Sequence, residues 1–165
     1  PHLWTSPLAM KSVADALAVE LKGDFGRDYS ARAAEIDGRL DALDAEIKAA
    51  VAALPEGKRK LVTGHESLGY FAQAYGFRLV GAVVPSLSSE AESSAAELSS
   101  LKKLIADKGV SVIFTEVGTP KQVVDALAKE AGVKAVQLGT HALPADGSYY
   151  SFERELAATI VEGLR

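Results

Sequence analysis

Leu61-Val-Thr-Gly-His65-Glu-Ser-Leu-Gly-Tyr70-Phe71-Ala-Gln-Ala-Tyr75-Gly76-Phe77 decides how this chain is read. Leu61 to Thr63 has the composition of a short buried strand, and the residues after it read as a helix with Tyr70, Phe71 and Tyr75 on or near one face. His65 stands where strand gives way to helix. In an open α/β sheet the ligand crevice lies beyond the carboxyl ends of the strands, so a histidine there is placed for chemistry. The other two histidines, His2 and His141, also fall at element boundaries and not within apolar faces. The expectation is that the three converge.

Downstream, βα alternation continues. Leu79–Val84 reads as a strand stopped by Pro85, and 88–94 as a polar loop rich in Ser and Glu. Ser94 with Glu97 forms a capping box for a helix through Leu98, Leu101, Leu104 and Ile105, which Gly109 closes. Val110–Thr115 is an apolar strand ending at Glu116. Thr119-Pro120 opens a capped helix that runs to Gly132, Val133–Leu138 is the fourth strand, and a last helix carries Tyr149, Phe152, Leu156, Ile160 and Leu164. Short apolar strands separated by helices predict an α/β fold: a four-stranded parallel sheet flanked by helices.

Upstream, Ser6 with Pro7 starts a helix whose Met10, Val13, Leu17 and Leu21 repeat at helical spacing, with Gly23 as the expected stop. A longer helix follows from about Asp28 to Leu54, carrying Ile36, Leu40, Leu43, Ile47 and Val51. At 1.5 Å per residue it spans roughly 40 Å. It either lies along a sheet face or ties two lobes together, one of them absent here. Residues 1–56 are thus read as an opening segment and linker helices, and 57–165 as an α/β lobe.

Composition narrows the function. The 165 residues carry a formal net charge of -4 and no cysteine. Mild acidity without a basic block gives no nucleic-acid surface, and the apolar runs are too short to span a bilayer. Without cysteine there are no disulfides, no thiolate catalysis and no cysteine-ligated zinc. Pro1 as first residue reads as the mark of a processed or engineered piece, so the lack of a visible signal peptide carries no weight.

Catalytic motifs fail one by one. Gly64-His-Glu-Ser-Leu-Gly69 lacks the Lys-Ser/Thr of a phosphate loop, and no dinucleotide fingerprint follows any strand. His65-Glu66 does not extend to a zinc-protease helix, since position 69 is glycine. Ser67 is read as lying one turn into a helix, not on a nucleophile elbow. What remains is imidazole, the commonest protein metal ligand. Glu116 is read as a solvated carboxylate at a loop mouth, as a ligand, or as an outer partner that orients a histidine.

Pro1-His2-Leu3-Trp4, Val62-Thr-Gly-His65 with Gly69-Tyr-Phe and Ala74-Tyr-Gly-Phe77, Glu92-Ser-Ser-Ala95, Ile113-Phe-Thr-Glu116 and Gly147-Ser-Tyr-Tyr-Ser151 together carry a resemblance. The chain resembles the zinc- and manganese-binding solute-binding proteins of ABC importers, a family that includes lipoproteins and adhesins. In that family two α/β lobes are joined by one long rigid helix and hold metal between them. The resemblance implies that this chain is the linker helix and C-terminal lobe, with the N-terminal lobe and its histidine ligand absent. It implies metal ligation by His2, His65 and His141, capture of Zn2+ or less readily Mn2+, delivery to a membrane permease, and no turnover. It places the protein in the periplasm or on the cell surface, lipid-anchored or not.

Two departures from the family pattern bear on the metal. The family usually places an aspartate where Thr140-His141 stands, and its manganese binders commonly place a carboxylate at position 65. A nitrogen-rich set favours zinc over manganese. Alternatively, His141 is only a neighbour and Asp146 or water completes the shell. An adhesin or interaction module that keeps the fold without transport is the competing reading. A dimer of the piece, through an apolar surface left open, is a further expectation.

Overall fold

Leu61, Val62 and Thr63 are almost wholly buried because their strand, β1 (Lys60–Thr63), lies inside the sheet. The computed structural model describes residues 2–84 and 94–165. The expected stop at Pro85, most of the Ser/Glu loop, the first residues of the Glu92-Ser-Ser-Ala95 motif and Pro1 lie outside them. β1 is flanked by β2 (Arg78–Ala82) and β3 (Val112–Glu116), and β4 (Lys134–Leu138) lies beyond β3. All pairings are parallel, in the order β2-β1-β3-β4. The chain therefore reverses its direction of travel between β1 and β3. That switch opens a crevice past their carboxyl ends.

Side chains alternate across the sheet, and helices cover both faces. Leu61, Val112 and Phe114 face a core shared with α2 (Ser30–Ala52), α3 (Gly69–Tyr75) and α6 (Tyr149–Leu164). Val62 and Ile113 face the opposite core, built by α4 (Ala95–Lys108) and α5 (Lys121–Ala131). The near-continuous apolar runs of the central strands β1 and β3 follow from this, whereas the edge strands β2 and β4 are partly exposed.

Local signals set most helix ends. Ser6 Oγ accepts from the Ala9 amide at the start of α1 (Pro7–Phe25), and the Ser94–Glu97 capping box forms in full. Gly23 does not stop α1, which runs on to Gly26 in the left-handed region at φ 63°. A glycine inside a helix costs only about 1 kcal/mol against alanine, too little to end one that continues. Thr119 does not cap α5 either, since Pro120 takes the N-cap position with no side-chain bond.

Helix α3 starts at Gly69, so Ser67 sits in the turn ahead of it and not one turn inside. Phe71 and Tyr75, four residues apart, are buried with their rings 4.8 Å apart. Tyr70 points outward, at 39% exposure. The carboxyl-terminal part of α2 packs on α6 and α3, with Leu43, Ile47 and Val51 in the core they share with the sheet, and α2 also packs extensively on α1. α1 itself leaves Leu17, Val19 and Phe25 more than half exposed.

Candidate metal centre

Three separate stretches meet in the crevice. His65 lies one residue past the end of β1 and is 3% exposed. His141 lies in the loop after β4. His2 precedes a 3-10 turn, Leu3–Thr5, that is pinned to this same loop. There the Trp4 indole donates to the Thr140 carbonyl at 2.9 Å, and the Tyr149 hydroxyl donates to the Trp4 carbonyl at 2.9 Å. Thr5 closes the turn by donating to the His2 carbonyl from both Oγ1 and its amide.

The Nε2 atoms point at one another. His2 Nε2 lies 3.2 Å from His65 Nε2 and 3.2 Å from His141 Nε2. One ligand atom from each ring lies within 4.8 Å of the others. A tetrahedral zinc with Zn–N bonds of about 2.0–2.1 Å holds its nitrogen ligands about 3.3–3.4 Å apart. The two distances from His2 fit that spacing with little movement.

Each outer face differs. The His141 Nδ1 lies 2.8 Å from the Thr140 hydroxyl. His65 Nδ1 faces Glu116 Oε2 at 3.4 Å. Glu116 ends β3, is 3% exposed, and accepts a short hydrogen bond on Oε1 from the Ser67 hydroxyl. The carboxylate thus lies on the side of the His65 ring away from the meeting point of the Nε2 atoms. His2 Nδ1 is buried without a hydrogen-bond partner.

Burial and mutual repulsion favour the neutral form of two of the rings. Burial, followed by repulsion from His2 and His141, pushes His65 down to about 4. Burial first and His141 second also lower His2. Neutral imidazole is the ligating form, so these shifts favour a metal over protons. Burial pushes Glu116 up to about 7, against the pull of the Ser67 hydroxyl and the backbone N–H groups of His65 and Gly64.

All three histidines singled out in the sequence come together, and Glu116 stands directly behind one of them. Asp146 does not complete the group. Its Oδ1 accepts from the Ser148 amide at 2.9 Å and its Oδ2 from the Ser151 hydroxyl at 2.6 Å, which ties it to the start of α6. Sequence reading passed over Thr140 and weighed Ser67 only as a nucleophile. No local pattern marks Ser67, because its partner lies at the end of another strand, and Thr140 acts on the ring of the very next residue.

Residues 1–163 match the family model described as zinc-uptake complex component A, periplasmic. The chain belongs to that family. It is 34% identical over 145 residues to the zinc-binding protein TroA of Treponema pallidum, covering 84% of this chain and 46% of that one. It is also 34% identical to the high-affinity zinc uptake system protein ZnuA of Bacillus subtilis, across 85% of this chain and 44% of that one. The chain thus spans just under half the length of either relative.

The solved structure of TroA superimposes with a TM-score of 0.79 at 29% identity, covering 99% of this chain and 63% of that one. The laminin-binding protein Lmb of Streptococcus agalactiae, a bifunctional adhesin and metal transporter, gives a TM-score of 0.79 at 22% identity over 100% of this chain and 65% of that one. At that identity the likeness shows the fold alone. Among the described residues, no helix is long and apolar enough to cross a membrane.

Proposed function

We propose that this chain captures Zn2+ as the substrate-binding part of an ABC importer, with His2, His65 and His141 as ligands through Nε2. One observation carries the reading: three imidazoles from remote positions converge, with His2 Nε2 3.2 Å from both His65 Nε2 and His141 Nε2. In this reading Glu116 is an outer partner of His65, and the ion is cargo passed to a membrane permease. The protein works in the periplasm or on the cell surface, with or without a lipid anchor. It needs no nucleophile, base or turnover.

A tetrahedral zinc takes a fourth ligand. In this reading residues 1–56 are the link, 57–165 one lobe, and the fourth ligand comes from a facing lobe in the remaining length of such proteins. An all-nitrogen triad selects zinc over the more oxygen-loving manganese. A dimer of the piece would rest on the apolar side chains that α1 leaves open. Sedimentation velocity reads it, and a monomer at every concentration removes it.

Calorimetric titration with Zn2+ and Mn2+, on this chain and on its His65→Ala variant, tests the function. Zinc is expected to bind more tightly than manganese. The variant should lose at least about a hundredfold, since outer partners alone cost 10–100-fold. Zinc binding that is absent, or indifferent to the substitution, removes the reading.

A further inference from the structure

The turn Gly64-His65-Glu66-Ser67 folds back on itself, with the Ser67 amide donating to the His65 carbonyl at 2.8 Å. Ser67 itself is fully buried. Its hydroxyl does not point toward the Nε2 atoms. It donates to Glu116 Oε1, while the other oxygen of the same carboxylate faces His65 Nδ1. The serine is thus hydrogen-bonded to the carboxylate, whose other oxygen lies 3.4 Å from the imidazole without a hydrogen bond closed between them. This is not the arrangement of a nucleophilic triad, since the serine proton goes to the carboxylate.

The slot is built for the carboxylate from the other side too. A Cβ on Gly64 would collide with Glu116 Oε2 and Thr119 Oγ1. Only glycine lets the end of β3 bring its carboxylate this close to the end of β1. The two strands are neighbours, with Thr63 paired to Phe114, so Glu116 reaches a residue just past the end of β1. Without Ser67, Oε1 would lose its hydroxyl donor, and the rotation of the carboxyl plane against Nδ1 would be left to the backbone N–H groups of His65 and Gly64 alone.

We propose that Ser67 is a positioning residue: by fixing the rotation of Glu116, it holds the proton of His65 on Nδ1 and presents the Nε2 lone pair to the metal. This rests on the zinc-binding reading above for its purpose, though not for its structural test. The competing role is satisfaction of a buried carboxylate, which would contribute to stability and leave the ring indifferent.

The tautomer distinguishes the two. Long-range 15N–1H spectra of the metal-free chain, with His65 assigned by comparison with His2→Ala and His141→Ala variants, report which ring nitrogen carries the proton. The parent is expected to show the Nδ1–H form of His65. Ser67→Ala is expected to mix the two tautomers and to weaken zinc binding about tenfold or more. Ser67→Thr, which keeps the hydroxyl, is expected to restore both.

A Ser67→Ala variant that folds and keeps the parent tautomer and zinc affinity overturns the proposal. If Ser67→Ala does not fold, Glu116→Met carries the same readout: mixed tautomers support the arrangement, and an unchanged one overturns it. Because the spectra need no metal, a parent that binds no zinc counts against the proposed function while the positioning is still decided.

Discussion

His2 and His141 lie 139 positions apart in the chain, and their Nε2 atoms lie 3.2 Å apart in space. Neither belongs to a regular element. The contact is held by the bond from Trp4 to the Thr140 carbonyl and by Tyr149 reaching back to Trp4, so the meeting of these imidazoles depends on a small aromatic clasp.

That clasp contains a reporter. Trp4 is the single tryptophan, and its ring centroid lies 5.0 Å from that of His2 and 6.1 Å from that of His141. Adding Co2+ or Cu2+ should quench its fluorescence at one equivalent, and excess Zn2+ should reverse the effect. Emission that ignores a paramagnetic ion would place the ion elsewhere.

His65 is expected to stay neutral far below the usual histidine range. Its lowered value of about 4 means that the ligating form prevails at every pH above that. A metal-free NMR titration should therefore give a midpoint near 4 for this ring. A midpoint near the ordinary 6.5 would show that the crevice is wetter than its geometry implies.

Glu153 on α6 should make the protein less stable as pH rises. It is fully buried, neither carboxyl oxygen has a hydrogen-bond partner, and burial pushes it up to about 8 from 4.5. Asp44 from α2, Tyr75 from α3 and Tyr149 on its own helix carry the neighbouring titratable groups. Below 4.5 both folded and unfolded chains hold the proton, and the group adds no pH dependence. Between 4.5 and about 8 only the folded chain holds it, so stability falls through that window. Glu116, raised to about 7, adds a slope of the same sign. Glu153→Gln should remove only its own share, melting above the parent at pH 8 by roughly 2–4 °C per kcal/mol recovered. Parallel melting curves for the two at pH 5 and pH 8 would sink the idea.

Gly64→Ala should cost about 1–3 kcal/mol, the usual range for overpacking, because its methyl group meets Glu116 and Thr119. Thermal melts measure this directly. Gly69→Ala makes a matched control, since nothing lies within 4 Å of a Cβ there. Equal behaviour of the two variants would remove the tight slot from the account.

Much of this molecule was written locally. Ser6, the Ser94–Glu97 box and Gly109 mark helix ends through bonds within one turn of chain, and such bonds can be read from spacing. Leu61–Thr63 and Val112–Thr115 declare buried strands by their apolar runs, because helices cover both faces. Where two local signals competed, spacing misled. Gly23 and Gly26 were both available to stop α1, and the chain used the second. Thr119 had the chemistry of a cap but turned into the slot beside Gly64 instead. Tyr70 shares a turn with Phe71, yet one is exposed and the other buried.

By itself the sequence determined the α/β alternation, the three imidazoles at element ends, and the family motifs that run through the chain. Only the tertiary structure decided that the Nε2 atoms face inward, that Asp146 serves α6, and that Ser67 reaches Glu116. The reason is range. Strand and helix signals act over a few residues, whereas the centre forms because the order β2-β1-β3-β4 sets the ends of β1 and β3 side by side. The Trp4 clasp then carries His2 across 139 positions to meet His141.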